Sequence, residues 1–278
     1  TFMWWRAGRH NPQTRVVTNV YVRNFSLSIL LWVVAAFVGG PLGLALKAAG
    51  LLIDLITPLL TIKNQAQAFP AAARKLPERF GLFVIIVLGE NLVGIVNGLA
   101  DAGSVDVVTL TRFVLGFLLG FGLWWIYFDY IGRLEPDSHN RWKFITWSYL
   151  HLPLVIGITM MGAMVQHAIA PQVAGAEAHG DVHSVEAGVR WLLAGGFALF
   201  YLACAGLEYT LEQTEVLIAT RTIVPLRILT AGVALLLPLL PVTLSWMVVG
   251  LILLHVLHAV LGVRAWFASD NAGRTDTH

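Results

Sequence analysis

Five ionisable side chains stand inside long apolar runs: Asp54, Glu90, His151, His255 and His258. At the centre of a lipid bilayer such a group costs about 2.5–3.5 kcal/mol on insertion scales. The run around Glu90 can offset that cost. Its thirteen Leu, Ile, Val and Phe residues between Phe80 and Leu99 each contribute roughly −0.3 to −0.6 kcal/mol. Carboxyl and imidazole groups can be tuned by their surroundings to take up and release protons. The chemistry these residues point to is therefore binding of a proton, a cation or a small solute in mid-membrane. Plainer readings stand beside it. Glu90 can be a neutral carboxyl hydrogen-bonded to a neighbouring helix. Asp54 can pair with Lys47, about 10.5 Å away along one helix face. The histidines can tie helices together by hydrogen bonds. Asp129, near a span end, is a weaker candidate, as is the loop sequence His179-Gly180-Asp181-Val182-His183, which resembles a surface metal site.

The elements that must position these groups follow from composition. The 278 residues are 57% hydrophobic and 12% charged, and mean hydropathy is +0.74. Soluble domains carry about 25% charged residues, so the solvent for most of this chain is lipid. We read an all-α fold, a polytopic transmembrane helical bundle, with eight spans at roughly 25–41, 43–62, 80–99, 112–131, 144–169, 190–208, 222–240 and 243–264. Gly39-Gly40-Pro41 joins the first two, a helix-breaking turn. With that count, fifteen Lys and Arg fall on one side, Arg227 among them, and Lys47, Arg112 and Arg190 on the other. The positive-inside rule then puts both chain ends in the cytoplasm. One transmembrane domain is expected over 1–278, with a flexible tail at 268–278. The start at Thr1, within Thr1-Phe2-Met3-Trp4-Trp5, reads as the end of an earlier apolar segment, so further N-terminal spans are expected.

Helical periodicity sorts the polar residues into faces. Glu90, Gly94, Asn97 and Gly98 share a stripe on the third span, where Gly94-x-x-x-Gly98 is a small-residue contact of the kind that lets helices approach. Gly43, Lys47, Gly50, Asp54, Thr57, Pro58 and Thr61 do so on the second. The fifth carries Ser148, His151, Thr159, Gly162 and Gln166, and the eighth His255, His258 and Gly262. Four such faces are expected to turn toward each other, around one shared polar centre or a water-filled cavity. The net charge of +2 and single cysteine, Cys204, argue against a nucleic-acid partner and exclude intrachain disulfides and cysteine-based zinc motifs. No nucleotide, zinc-protease or serine-hydrolase motif is present. No cofactor and no catalytic or metal-ligating set is expected. The expected partners are membrane lipids and a small solute or ion, with self-association into a homo-oligomer left open.

Four stretches together resemble the bacterial low temperature requirement A family of multi-pass membrane proteins. They are Arg23-Asn24-Phe25-Ser26 with Leu30-Leu31-Trp32, the segment Glu78-Arg79-Phe80-Gly81-Leu82-Phe83-Val84-Ile85-Ile86-Val87-Leu88-Gly89-Glu90, then Trp124-Trp125-Ile126-Tyr127-Phe128-Asp129, and Tyr149-Leu150-His151-Leu152-Pro153-Leu154. The resemblance implies that Glu78, Arg79, Gly89, Glu90, Asp129 and His151 are motif positions, and that the protein lies in the inner (plasma) membrane. Asn91 stands where the family often has Ser, and the acidic-aromatic segment with which family members usually begin is missing. Three functions follow as expectations. A secondary transporter or channel would use Glu90, Asp54 and His151, with His255 or His258 lining the path. An intramembrane metal-dependent lipid hydrolase would gather the histidines around zinc. A scaffold would use none of them for turnover.

Overall fold

The computed structural model describes residues 1–68, 75–102, 105–132, 134–137, 140–169, 182–211 and 217–275, without the side chains of 62–63, 65–68, 182–185, 217–222 and 265–275. Among them stand nine α-helices: α1 (Phe2–His10), α2 (Arg15–Val38), α3 (Gly40–Ala68), α4 (Leu76–Ala100), α5 (Val107–Tyr130), α6 (Arg141–Ile169), α7 (Val182–Tyr209), α8 (Leu217–Leu236) and α9 (Leu244–Thr275). The fold is a polytopic helical bundle. Seven of the helices are long and apolar enough to cross a bilayer. The eighth crossing expected from the sequence is a shorter apolar helix, Ile223–Leu239. Pro238 lies in a 3₁₀ turn, Leu237–Leu239, that ends it; proline lacks the amide hydrogen a continuing helix needs. The first span begins earlier than hydropathy suggests. Helix α2 starts at Arg15, because its polar first turns cost little in helical form and are used in packing.

The helices form two compact units, Thr1–Leu76 and Pro77–His278. In the first, α2 and α3 are an antiparallel pair joined at Gly39 and Gly40, whose φ angles are 64° and 55°. Only glycine takes that left-handed backbone without strain. Gly43 and Gly50 then let the helices touch. A Cβ on Gly50 would sit 2.8 Å from the Trp32 ring, and one on Gly43 would sit 3.0 Å from the Ala35 carbonyl. Trp4 of α1 stacks on Tyr21 with ring centroids 4.2 Å apart.

In the second unit α7 is the central helix. It packs against α6 on one side and α8 on the other, and 67% of its most apolar window is buried. Helix α9 lies against α5. Gly157 and Gly196 bring the α6 and α7 backbones together, a Cβ on Gly157 falling 2.6 Å from the Gly196 carbonyl. At one end of this unit the α5–α6 and α7–α8 connections meet, Asp137 N donating to Thr210 O at 3.0 Å. At the other, Arg190 donates to the carbonyls of Pro238, Leu240 and Val242, satisfying acceptors that the end of α8 leaves open. Asp106 caps α5 by accepting from Thr109 N at 2.7 Å, and that amide hydrogen bond holds the Asp106 carboxyl below its usual range. Large apolar side chains such as Phe83, Ile86, Phe117 and Trp246 remain exposed, as expected of faces whose solvent is lipid.

Candidate functional site

Four helices of the second unit build one buried polar cluster. Helix α7 supplies Tyr201 and Glu208, α8 supplies Arg227 and Thr230, α9 supplies His255 and His258, and α5 supplies Tyr130. Arg227 is 1% exposed and Glu208 5%. Glu208 Oε2 lies 2.9 Å from Arg227 Nη1. Nη1 also donates to the Cys204 carbonyl at 3.0 Å, and it is this bond, not the one to the carboxylate, that has hydrogen-bond geometry. The Tyr130 ring lies under the guanidinium, 5.9 Å from its centre. One turn further along α8, Thr230 Oγ1 is 2.9 Å from His258 Nε2. Tyr201 OH is 2.8 Å from His255 Nδ1, and its ring lies 4.8 Å from that of His258.

Local sequence explains the convergence. His255 and His258, three residues apart, fall on one face of α9. The face is pressed against α5 at two glycines: a Cβ on Gly122 would meet the His255 ring at 2.5 Å, and Gly262 leaves no room for a methyl group beside Tyr130. Tyr201 and Glu208 lie seven residues apart, two turns on the same side of α7. The cluster therefore runs along the bundle. His255 is near the middle of the apolar stretch Leu244–Arg264, and Arg227 is about one turn inside Ile223–Leu239. Among the described residues, Glu208 Oε2, Arg227 Nε and His255 Nε2 are buried with no hydrogen-bond partner.

His151 occupies a separate place. It is 1% exposed, and both ring nitrogens are engaged. Nδ1 lies 2.9 Å from Trp147 O, so Nδ1 carries the hydrogen, since a carbonyl only accepts. Nε2 then accepts from Tyr127 OH at 3.0 Å. Phe80 and Trp147 close over the ring, with centroids at 4.5 and 4.4 Å.

Glu90 is exposed. The face by which α4 packs is that of Val84, Asn91, Ile95 and Gly98, about a quarter turn away. Asn91 Nδ2 donates to Ile158 O at 3.1 Å, and Gly98 abuts Gln166 of α6. The single shared polar centre predicted from four stripes is thus corrected. The stripe on α6 meets α4 through Asn91, Gly162 and Gln166, while that on α9 meets α5, α7 and α8. The physical reason is that Asn91, one residue past Glu90, reaches an acceptor across the helix pair and sets the rotation of α4. Asp54 lies in the first unit, where it accepts from Ser28 Oγ at 2.7 Å, and Asn24 donates to Thr57 at 3.0 Å beside it. Its partner is on α2 rather than Lys47, which is exposed.

The family model for the bacterial low temperature requirement A protein matches residues 1–263. The chain belongs to that family. Neither a curated protein nor a solved structure matches it. The positions carried over from the low temperature requirement A motifs have distinct surroundings. Glu78 stands in the first turn of α4, where a negative charge suits the helix dipole. Glu78, Arg79 and Gly89 are exposed and Asp129 is half-buried. His151 alone is enclosed. Glu208 and Arg227, the most deeply buried charges among the described residues, were missed in the sequence because both lie close to the charged segment 212–221 and read as interfacial. A signal was available: Arg227 falls inside an apolar stretch, where it needs an acid within reach. His179-Gly180-Asp181 and the side chain of His183 lie outside the described residues.

Proposed function

We propose that this low temperature requirement A protein is a secondary transporter or channel of the inner membrane, for a proton, a cation or a small solute. Its ionisable centre is the Glu208–Arg227 pair with His255 and His258. The observation that carries this reading is the buried ion pair. A buried pair contributes little net stability, since desolvation offsets most of the attraction, and ionisable groups within membranes mark pathways and relays. Two histidines, a threonine and two tyrosines from four helices continue the polar line toward mid-membrane. Glu90 and Asp54, also at mid-span depth, are ancillary sites in this reading, and His151 holds α6 to α5.

No observation favours the metal-dependent lipid hydrolase. His151 has its own aromatic enclosure, and among the described residues no three His, Cys, Asp or Glu side chains are grouped as metal ligands. The test is flux across proteoliposomes carrying the purified chain, followed both electrically and with ion-sensitive dyes. Glu208→Gln is expected to remove the signal, and Glu90→Gln to reduce it less. Flux that survives Glu208→Gln undiminished rejects this centre.

A further inference from the structure

We infer that the species crossing this centre is the proton, and that His255 is the residue that receives it from the end of the bundle opposite the Glu208–Arg227 pair. The inference rests on the transport reading above and names its substrate.

A cleft of about 440 Å³ opens at that end. Asp106, Arg112, His167 and Glu186 give it charged walls, and Thr243 and Ser245 line the start of α9. Beside Arg112 lies a separate apolar hollow of about 20 Å³ between Gly116, Val165, Leu193 and Val248. Val248 and His255 are two turns apart on α9, about 10.5 Å at 1.5 Å per residue. Phe197 and Leu251, both 0% exposed, occupy the intervening turns of α7 and α9. Phe197 lies 4.9 Å from the His255 ring. Beyond these two buried side chains comes His255, whose Nε2 has no hydrogen-bond partner among the described residues and whose Nδ1 is held by Tyr201.

Three features select the proton. Phe197 and Leu251 are fully buried between Val248 and His255, so no solute-sized opening reaches His255. A dehydrated metal cation needs several converging ligands, and no such group of acids and histidines occurs among the described residues. The side chains beyond Phe197 and Leu251, namely Tyr201, His255, His258 and Thr230, are each able to donate and to accept. The step is simple in its balance: the neutral imidazole of His255 takes one proton at Nε2, delivered by water from the cleft, and becomes imidazolium, then returns to neutral when it gives one proton up. The titratable groups facing it are Tyr201 from α7 and His258 from α9 itself, and the cluster continues beyond them to Glu208 of α7, Arg227 of α8 and Tyr130 of α5. Phe197 and Leu251 act as the gate.

The experiment is proton uptake into proteoliposomes containing a trapped pH dye, driven by a potassium-valinomycin potential. Leu251→Ser is expected to raise the rate about tenfold, because a hydroxyl in place of the isobutyl group lets water into a dewetted constriction. His255→Gln is expected to abolish uptake in the wild-type and Leu251→Ser backgrounds alike. Infrared difference spectra of the unmodified protein after an acid jump supply a second measurement, in which an imidazolium band is expected that His255→Gln removes. Flux of sodium, potassium or a solute without proton flux overturns the inference and leaves the transport reading standing. No flux of any species removes the transport reading itself. Proton flux unaltered by Leu251→Ser in folded protein, with no imidazolium band, overturns the entry route through His255.

Discussion

At the scale of single residues the buried charges set the terms. Arg227 and Glu208 neutralise each other where both are buried, so each depends on the other for its place. Breaking such a pair from one side leaves a lone buried charge and costs about 3–5 kcal/mol, whereas replacing both partners by groups of similar volume is often neutral. Arg227→Met is therefore expected to lower the thermal midpoint of the detergent-purified protein sharply, and Arg227→Met with Glu208→Gln to recover most of the loss. Equal destabilisation by the single and the double change rejects the coupling. His151 makes a useful contrast. Its two nitrogens already have the partners they need, and a satisfied imidazole in an aromatic enclosure is a helix tie. His255 has a tyrosine on one nitrogen and none of the described residues on the other, which is why it, rather than His151, is the residue given a proton to carry.

At the scale of elements, glycines decide which faces meet. Gly162 lies against the Asn91 amide, a Cβ there falling 2.7 Å from Asn91 Cγ, whereas a Cβ on Gly232 would meet nothing within 4 Å. Gly162→Ala is expected to push Asn91 off the Ile158 carbonyl and to cost about 1–3 kcal/mol, the usual penalty for overpacking. Gly232→Ala, on an open face of α8, is expected to stabilise by up to about 1 kcal/mol through helix propensity alone. Denaturation of the two variants side by side checks this, and a stabilising Gly162→Ala contradicts the packing of α4 on α6. The same contact explains why Glu90 is off the packed face. Counting periodicity from Glu90 itself sets the wrong origin for the stripe, since the residue that makes the interhelical bond is Asn91.

At the scale of the whole molecule, the charge bias and the helix order bear on orientation. If the seven long apolar helices and the one shorter one among the described residues all cross, the number of crossings is even and returns the chain to the side from which it set out. We propose, from the Lys and Arg distribution, that this side is the cytoplasm. Fusing a fluorescent protein that folds only in the cytoplasm after Ala68, or after Arg264, is expected to give signal, and fusion after Gly40 or Ala102 to give none. The reverse pattern rejects the orientation. Cys204, the single cysteine of the chain, is fully buried, so added cysteines can be probed for accessibility with little background. Within the second unit, the end cleft and the Glu208–Arg227 pair occupy opposite ends of one helical bundle, the arrangement a path across a membrane requires.

What the sequence determined by itself is the class of the molecule. An apolar content this high, in runs long enough to span a bilayer, leaves only helices, because lipid offers no partner for an unpaired backbone group. It also marked His255, His258 and Gly262 as one face of α9, and Gly43, Gly50 and Thr57 as the contact face of α3, since 3.6-residue periodicity reports a face wherever the helix is regular. Periodicity could not report which faces meet, because rotation about a helix axis is set by a few interhelical contacts of short range. So Asn91 rather than Glu90 turned inward, Asp54 took Ser28 in place of Lys47, and one expected polar centre became separate ones. Glu208 and Arg227 became a pair only when α7 and α8 folded back on each other. The acid and the base lie nineteen residues apart in the chain, and antiparallel packing alone brings them within 2.9 Å.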